Sequence, residues 1–391
     1  LVGASELGGR VSAGIRVSDP KAILGDLAAE PRIGEQELFF VSWAASLDGT
    51  ADVDAVAAIR SSGAKPWVRV VFTTPAPLVE NLDELERELG ELAEIAKTTG
   101  DDVIIQAVWH PATGVMSATD HGYLIKRAAV VVTGVAVGAG FAAGPLPTDR
   151  GALEWLYLEE VAAYLDVLVL EPGGTTAAAM EILAELDPGK PVAVDAVPWS
   201  RDLADSLGEV AYWSAAGAAI TLIEPDAGIP LDLRSFKTAA RELGGGLVHD
   251  PYSDPTGGGG AWSFVREDLG LRVVAKKSPG DQRLRLVFAD HQLRSPEVVD
   301  LETGEIRTVT GVNKGGEFIV VVNEAPDVVL LRLERPSAAE LEGFDEEIEI
   351  GGGREMPVEE IIRRLQAFED DQDRRLRHYQ AKRSFGLRFQ A

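Results

Sequence analysis

The chain has 391 residues, a formal net charge of -26 and 46% hydrophobic residues. That length and apolar content support a large core and more than one domain, and so acidic a surface repels phosphate backbones, which argues against nucleic acid as a partner. There is no cysteine, which excludes disulfides, thiolate metal sites and cysteine nucleophiles.

No apolar run reaches the about 18 residues a membrane-spanning helix needs, so no span is expected. A chain that opens on Leu1 is expected to be processed or trimmed, and the absence of cysteine suits an extracytoplasmic location: secreted, periplasmic or cell surface.

In chain order, eight short apolar runs alternate with stretches of helical spacing. They are "RVSAGIRV" (10–17), "ELFFVSW" (37–43), "KPWVRVVF" (65–72), "DVIIQAVW" (102–109), "VAVGAGFAAG" (135–144), "DVLVLEP" (166–172), "KPVAVDAV" (190–197) and "AAITLIEP" (218–225). Between the third and fourth lies "ENLDELERELGELAEIAKTTG", with leucines three and four apart, Asn81 as expected N-cap and Gly100 as expected stop. Eight near-continuous apolar strands, each followed by a helix-length segment, predict an α/β protein built on a (β/α)8 TIM barrel. The rival, an open doubly wound sheet, requires a glycine-rich phosphate loop after the first strand, and none is there. "GAGFAA" (138–143) matches a dinucleotide fingerprint, but "GPLP" follows where a helix would have to open, so no nucleotide cofactor is expected.

"GGGLVHDPYSDPTGGGG" (244–260) reads as a linker or long closing loop, and the pattern then changes. "AWSFVRE", "LRVVAKK", "RLRLVFA", "EFIVVVN" and "DVVLLRLE" are β-type runs separated by turns, which predict a small antiparallel β-sandwich of about 75 residues. From Pro357 a charged helical segment carries Ile361, Leu365, Phe368 and Leu376 on one side and ends in "FGLRFQ". The expected domains are the barrel over 1–255, the sandwich over 256–336 and a C-terminal helical segment over 337–391 that opens a further domain.

Three stretches resemble a known superfamily. "HGYLIKRAAVVVTG" with "GFAAGPLP" is similar to the helix and fifth strand, "LEWLYLEEVAAYLDVLVLEP" to the next helix and strand, and "KPVAVDAVPW" to the seventh strand of the (β/α)8-barrel glycoside hydrolases. The sandwich with "VVDLETGE" resembles their accessory domains, and the likeness spans roughly residues 35 to 335. In that superfamily the acid/base and the nucleophile sit at the ends of strands four and seven. The resemblance puts the acid/base place on His110, before Pro111, and the nucleophile place on Ala196. Retaining hydrolysis requires two carboxyl groups about 5–5.5 Å apart. Neither glutamate is present.

Other acids close to the expected mouth are Asp195, Glu171 and Glu224, with Asp226 beside the last. Strict alternation from Ala196 turns Asp195 toward the surrounding helices, unless a bulge re-aims it. Glu171 and Glu224 serve as candidate relocated carboxylates or as ordinary loop-entry acids. Trp43, Trp109 and Trp199 end strands two, four and seven and form a candidate sugar-stacking platform, or else plug the mouth as core residues. Trp155 and Trp213, within helical segments, are read as packing residues. His110, His121 and His249 have no metal-ligand spacing, so no metal site is expected; Asp250 and Asp254 are the one candidate calcium pair.

The leading expectation is a glycoside hydrolase-like barrel inactive as an ordinary glycosidase, binding carbohydrate or serving a structural role. The alternatives are an active glycosidase using Asp195, Glu171 and Glu224, and a scaffold that binds a protein partner through the sandwich or the C-terminal helix. No cofactor is expected.

Overall fold

The computed structural model describes residues 12–20, 39–45, 53–109, 116–198, 203–225, 238–239, 242–243, 247–266, 270–290, 292–301 and 303–335. His110, Trp199, Asp226 and the whole C-terminal segment expected to be helical lie outside these residues.

Eight parallel strands close into a barrel in sequential order: β1 (Ser12–Val17), β2 (Phe39–Ala45), β3 (Lys65–Phe72), β4 (Ile104–Trp109), β5 (Gly140–Ala143), β6 (Val167–Leu170), β7 (Val192–Pro198) and β8 (Ile220–Glu224). β1 pairs with both β2 and β8, which closes the sheet and excludes the open doubly wound alternative. The described helices of the barrel are α1 (Val53–Ser61), α2 (Leu82–Thr99), α3 (Ala118–Val135), α4 (Arg150–Leu158), α5 (Thr176–Leu186) and α6 (Leu203–Ala215).

The strands are apolar on both faces because both are covered. One set, including Val41, Val68, Val70, Ile105, Phe141, Leu168 and Val194, packs under the helices. The alternate set, Phe40, Trp67, Ala142, Val169, Ala193 and Leu222, fills the barrel interior. Gly14 is required there: a Cβ would come within 2.7 Å of Leu222 and Phe40. The Trp67 ring N–H donates to Gln106 Oε1 at 2.8 Å, so the two large polar-tipped side chains of the interior satisfy each other.

α2 forms where its leucine spacing predicts it. Leu85, Leu89, Leu92 and Ile95 are buried, acids occupy its first turn, and Gly100 stops it at φ 70°. Asn81 precedes this helix but does not cap it through its side chain, which instead donates to the carbonyls of Pro75 and Pro77. On α2 the buried Glu88 accepts from the backbone N–H and hydroxyl of both Thr73 and Thr74, and so fixes the loop that leaves β3 at the mouth. Trp213 is buried on α6 as expected of a packing residue, but Trp155 on α4 is 67% exposed, with Leu158 exposed beside it.

After the barrel come β9 (Val248–His249), β10 (Gly260–Arg266), β11 (Gly270–Lys276), β12 (Arg283–Phe288), β13 (Arg294–Val299), β14 (Ile306–Thr308), β15 (Thr310–Lys314), β16 (Glu317–Asn323) and β17 (Val328–Glu334). They form a six-stranded sheet in the order β14-β13-β17-β11-β10-β9 and a three-stranded sheet in the order β12-β16-β15. Leu271, Val273, Leu286, Phe288, Phe318 and Leu331 fill the space between the sheets. The five β-type runs expected from the sequence are all strands. β13 escaped detection because Pro296 and a register shift between Arg294 and Glu297 break its alternation, and β14 and β15 because every residue in them is exposed.

The larger sheet is also covered on its other face. Phe264, Val274 and Leu330 are continuous with the core of the barrel. Lys276 reaches Glu209 of α6 at 3.4 Å, and the ring of Tyr212 on α6 meets that of Trp262 edge-on at 6.4 Å. Between β8 and β9, Glu242 is buried and takes a bidentate pair from Arg332, with Arg272 at 3.5 Å. The sandwich is thereby fixed to the side of the barrel by apolar contact and a two-arginine clamp.

Candidate functional site at the barrel mouth

Charge enters the barrel interior at one level. Arg16 of β1, Arg69 of β3, Asp195 of β7 and Glu224 of β8 each stand two residues beyond a glycine or apolar residue of the interior: Gly14, Trp67, Ala193 and Leu222. Period-two alternation therefore aims all four inward at the C-terminal ends of the strands, where barrel active sites form. Glu171 follows β6 by the same spacing from Val169.

The expected direction of Asp195 is corrected here. It does not face the helices: Asp195 Oδ2 lies 3.3 Å from Arg69 Nε and 3.7 Å from Arg16 Nη1. The reason is a β-bulge. Val194 pairs with Thr221 and Val197 with Ile223, so Asp195 and Ala196 together oppose a single residue of β8. Ala196 takes the extra position with φ 61°. Asp195 thus keeps the phase of Ala193, and counting back from position 196 assigned it to the wrong face.

Inward does not mean accessible. Asp195 is 3% exposed and Arg69 is 8% exposed. Burial lowers the pKa of Arg69 below the ordinary guanidinium value, and the Asp195 carboxylate is the largest influence opposing that shift. Arg16 in turn reaches Glu224 Oε1 at 3.2 Å, so the two arginines and the two acids balance. Neither arginine was picked out in the sequence. The available signal was a basic residue at the interior phase of an otherwise apolar strand.

Trp43 and Trp109, the two described members of the expected platform, are not brought together. Trp43 is 3% exposed and packs in the layer between strands and helices, so its ring offers no face to a ligand. Trp109 is partly exposed and lines a cavity of about 470 Å³ together with Met116, His121, Leu146, Thr148 and Glu171. This space opens at the ends of β4, β5 and β6, beside the charged level, and falls in the ordinary size range for small-molecule sites. Burial of the His121 imidazole pulls its pKa down to about 4, so the ring is uncharged at neutral pH.

Among the described residues no group of three or more histidines and acids is arranged to hold a cation. Asp250 and Asp254, the candidate calcium pair, are engaged within the chain. Asp254 meets His249 Nε2 at 2.9 Å and the backbone N–H of Ser263, while Asp250 accepts from Ser253 and the Tyr252 N–H and lies 3.6 Å from Arg335. Among the described residues no helix is long and apolar enough to cross a membrane.

No family model and no curated protein matches the sequence. Solved structures do. A family 39 glycoside hydrolase from Bacteroides cellulosilyticus aligns with a TM-score of 0.59 at 12% identity, covering 84% of this chain and 82% of that one. The catalytic domain of the family 30 xylanase C from Talaromyces cellulolyticus aligns at 0.54 and 11% identity, over 83% and 97% of the two chains. A family 30 endoxylanase from Clostridium papyrosolvens aligns at 0.52 and 10% identity, over 84% and 97%. The chain shares the (β/α)8-barrel fold of these solved glycoside hydrolases.

Proposed function

We propose that this protein is a glycoside hydrolase-like barrel that binds carbohydrate at its C-terminal face and does not carry out ordinary retaining hydrolysis. The observation that supports this most is the state of Asp195. It is the one carboxylate on the strand where the superfamily nucleophile is expected, and it is buried against Arg69 and Arg16. A nucleophile must reach the anomeric carbon and a second carboxyl group must stand about 5–5.5 Å from it. An acid held between two guanidinium groups below the surface does not meet the first condition, and alanine at position 196 supplies no replacement. What remains usable is the cavity with the indole of Trp109 on its wall, a surface on which a sugar face can stack. Such a protein would act outside the cytoplasm, where glycans are met, and the cysteine-free composition is compatible with that.

The test pairs a panel of aryl glycosides with a soluble-glycan binding screen. No turnover is expected, together with saccharide binding that weakens about tenfold in Trp109→Ala, the equivalent of about 1.4 kcal/mol of stacking and contact. Turnover in the unmodified protein would reject the reading.

A second reading, an active hydrolase with relocated acids, rests on Glu171 and Glu224, which are less buried than Asp195 and both within electrostatic reach of Arg69. It requires that Glu171→Gln and Glu224→Gln each abolish an activity the unmodified protein possesses.

A further inference from the structure

Charge accounting at the mouth leaves one acid over. Arg69 is offset by Asp195 and Arg16 by Glu224. Glu171 is exposed, and among the described residues its carboxylate makes no hydrogen bond and no ion pair. Among the described residues it is also the only acid on the wall of the cavity: Trp109, Met116, Leu146 and Leu156 are apolar, and Ser117 and Thr148 carry hydroxyls. His121, whose pKa desolvation lowers to about 4, is uncharged at neutral pH and adds no positive charge to the space.

We propose that this cavity selects a cationic amino sugar, with the ammonium group against Glu171 and the sugar face against Trp109. The inference rests on the carbohydrate reading above and narrows it to a substrate class. Three physical terms favour it. A carboxylate beside an apolar, partly desolvated wall attracts a cation more strongly than one in open water. An indole face adds cation–π attraction to an ammonium group. The net charge of -26 concentrates cations around the protein and repels uronic acids. Arg69, whose guanidinium feels the Glu171 carboxylate, does not reverse the sign because Asp195 lies against it.

The experiment is calorimetric titration with three probes: glucosamine trimer, its fully N-acetylated counterpart and a glucuronic acid-containing trimer, each at low salt and at high salt. The free-amine trimer is expected to bind at least about tenfold more tightly than the N-acetylated one, with the difference shrinking as salt rises. Glu171→Gln, checked for folding by circular dichroism, should abolish the preference, and Trp109→Ala should weaken both. Equal binding of amine and N-acetyl trimers, preference for the uronic acid, or an amine preference that survives Glu171→Gln overturns the inference and leaves carbohydrate binding standing. Absence of binding by every saccharide, here and in the wider glycan screen, overturns both.

Discussion

Replacing Asp195 by asparagine tests the charged level directly. The substitution keeps the shape and removes the charge. Asp195 is the common partner of Arg69 at 3.3 Å and Arg16 at 3.7 Å, and Arg69 has no other acid in contact range among the described residues. With an effective dielectric of about 20, a contact at this distance is worth about 5 kcal/mol of attraction. Part of that is returned because a buried carboxylate no longer has to be desolvated, but Arg69 stays buried and loses its counter-charge. Removing one partner of a buried pair in this way costs about 3–5 kcal/mol. The structure also predicts an asymmetry. Arg69→Met leaves Asp195 paired with Arg16, so it should cost less than Asp195→Asn. The double variant Asp195→Asn/Arg69→Met removes both charges and should cost clearly less than the sum of the singles. Urea unfolding, read as the free energy of unfolding with an unchanged m-value, measures all three. A loss below about 0.5 kcal/mol in Asp195→Asn, or strict additivity in the double variant, would refute the assignment of Asp195 as a buried counter-ion.

Three further outcomes follow from named features. Ala196 sits at φ 61°, a conformation that costs a residue with a Cβ about 1 kcal/mol, so Ala196→Gly should stabilise the protein by about 0.5–1 kcal/mol in the same assay, while Ala196→Glu should destabilise it. His121 has its pKa lowered from 6.5 to about 4: as pH falls through that window the unfolded chain takes up a proton that the folded ring refuses, so stability is present above pH 6.5 and is lost progressively down to about pH 4. The contribution is at most about 3 kcal/mol, reduced by the solvent a partly exposed ring still meets, and His121→Gln should flatten that part of a stability–pH curve. Glu242→Gln removes the charge that holds Arg272 and Arg332 and should cost about 3 kcal/mol, with hydrogen exchange rising in β11 and β17 before it rises in the barrel strands.

Much of the architecture was legible in the chain because it depends on local, periodic quantities. Eight apolar runs with helical spacers specify a parallel sheet covered on both faces, since no other arrangement buries strands like "VLVL" at β6 on two sides at once. The sandwich strands with clean alternation were readable for the same reason, and β13 was not, because a proline and a register shift interrupt its period. The chemistry of the mouth was less legible. That Ala196 is not a glutamate is a fact of sequence, but the direction of Asp195 is decided by one inserted residue in the pairing of β7 with β8, and a bulge leaves no periodic trace in so short a strand. The partnership of Arg16, Arg69, Asp195 and Glu224 joins β1, β3, β7 and β8, which only closure of the barrel brings to one level. Trp43 lies two residues inside the end of β2 and Trp109 ends β4; one is buried in the layer beneath the helices and the other lines a cavity, a difference set by tertiary packing and not by residue type.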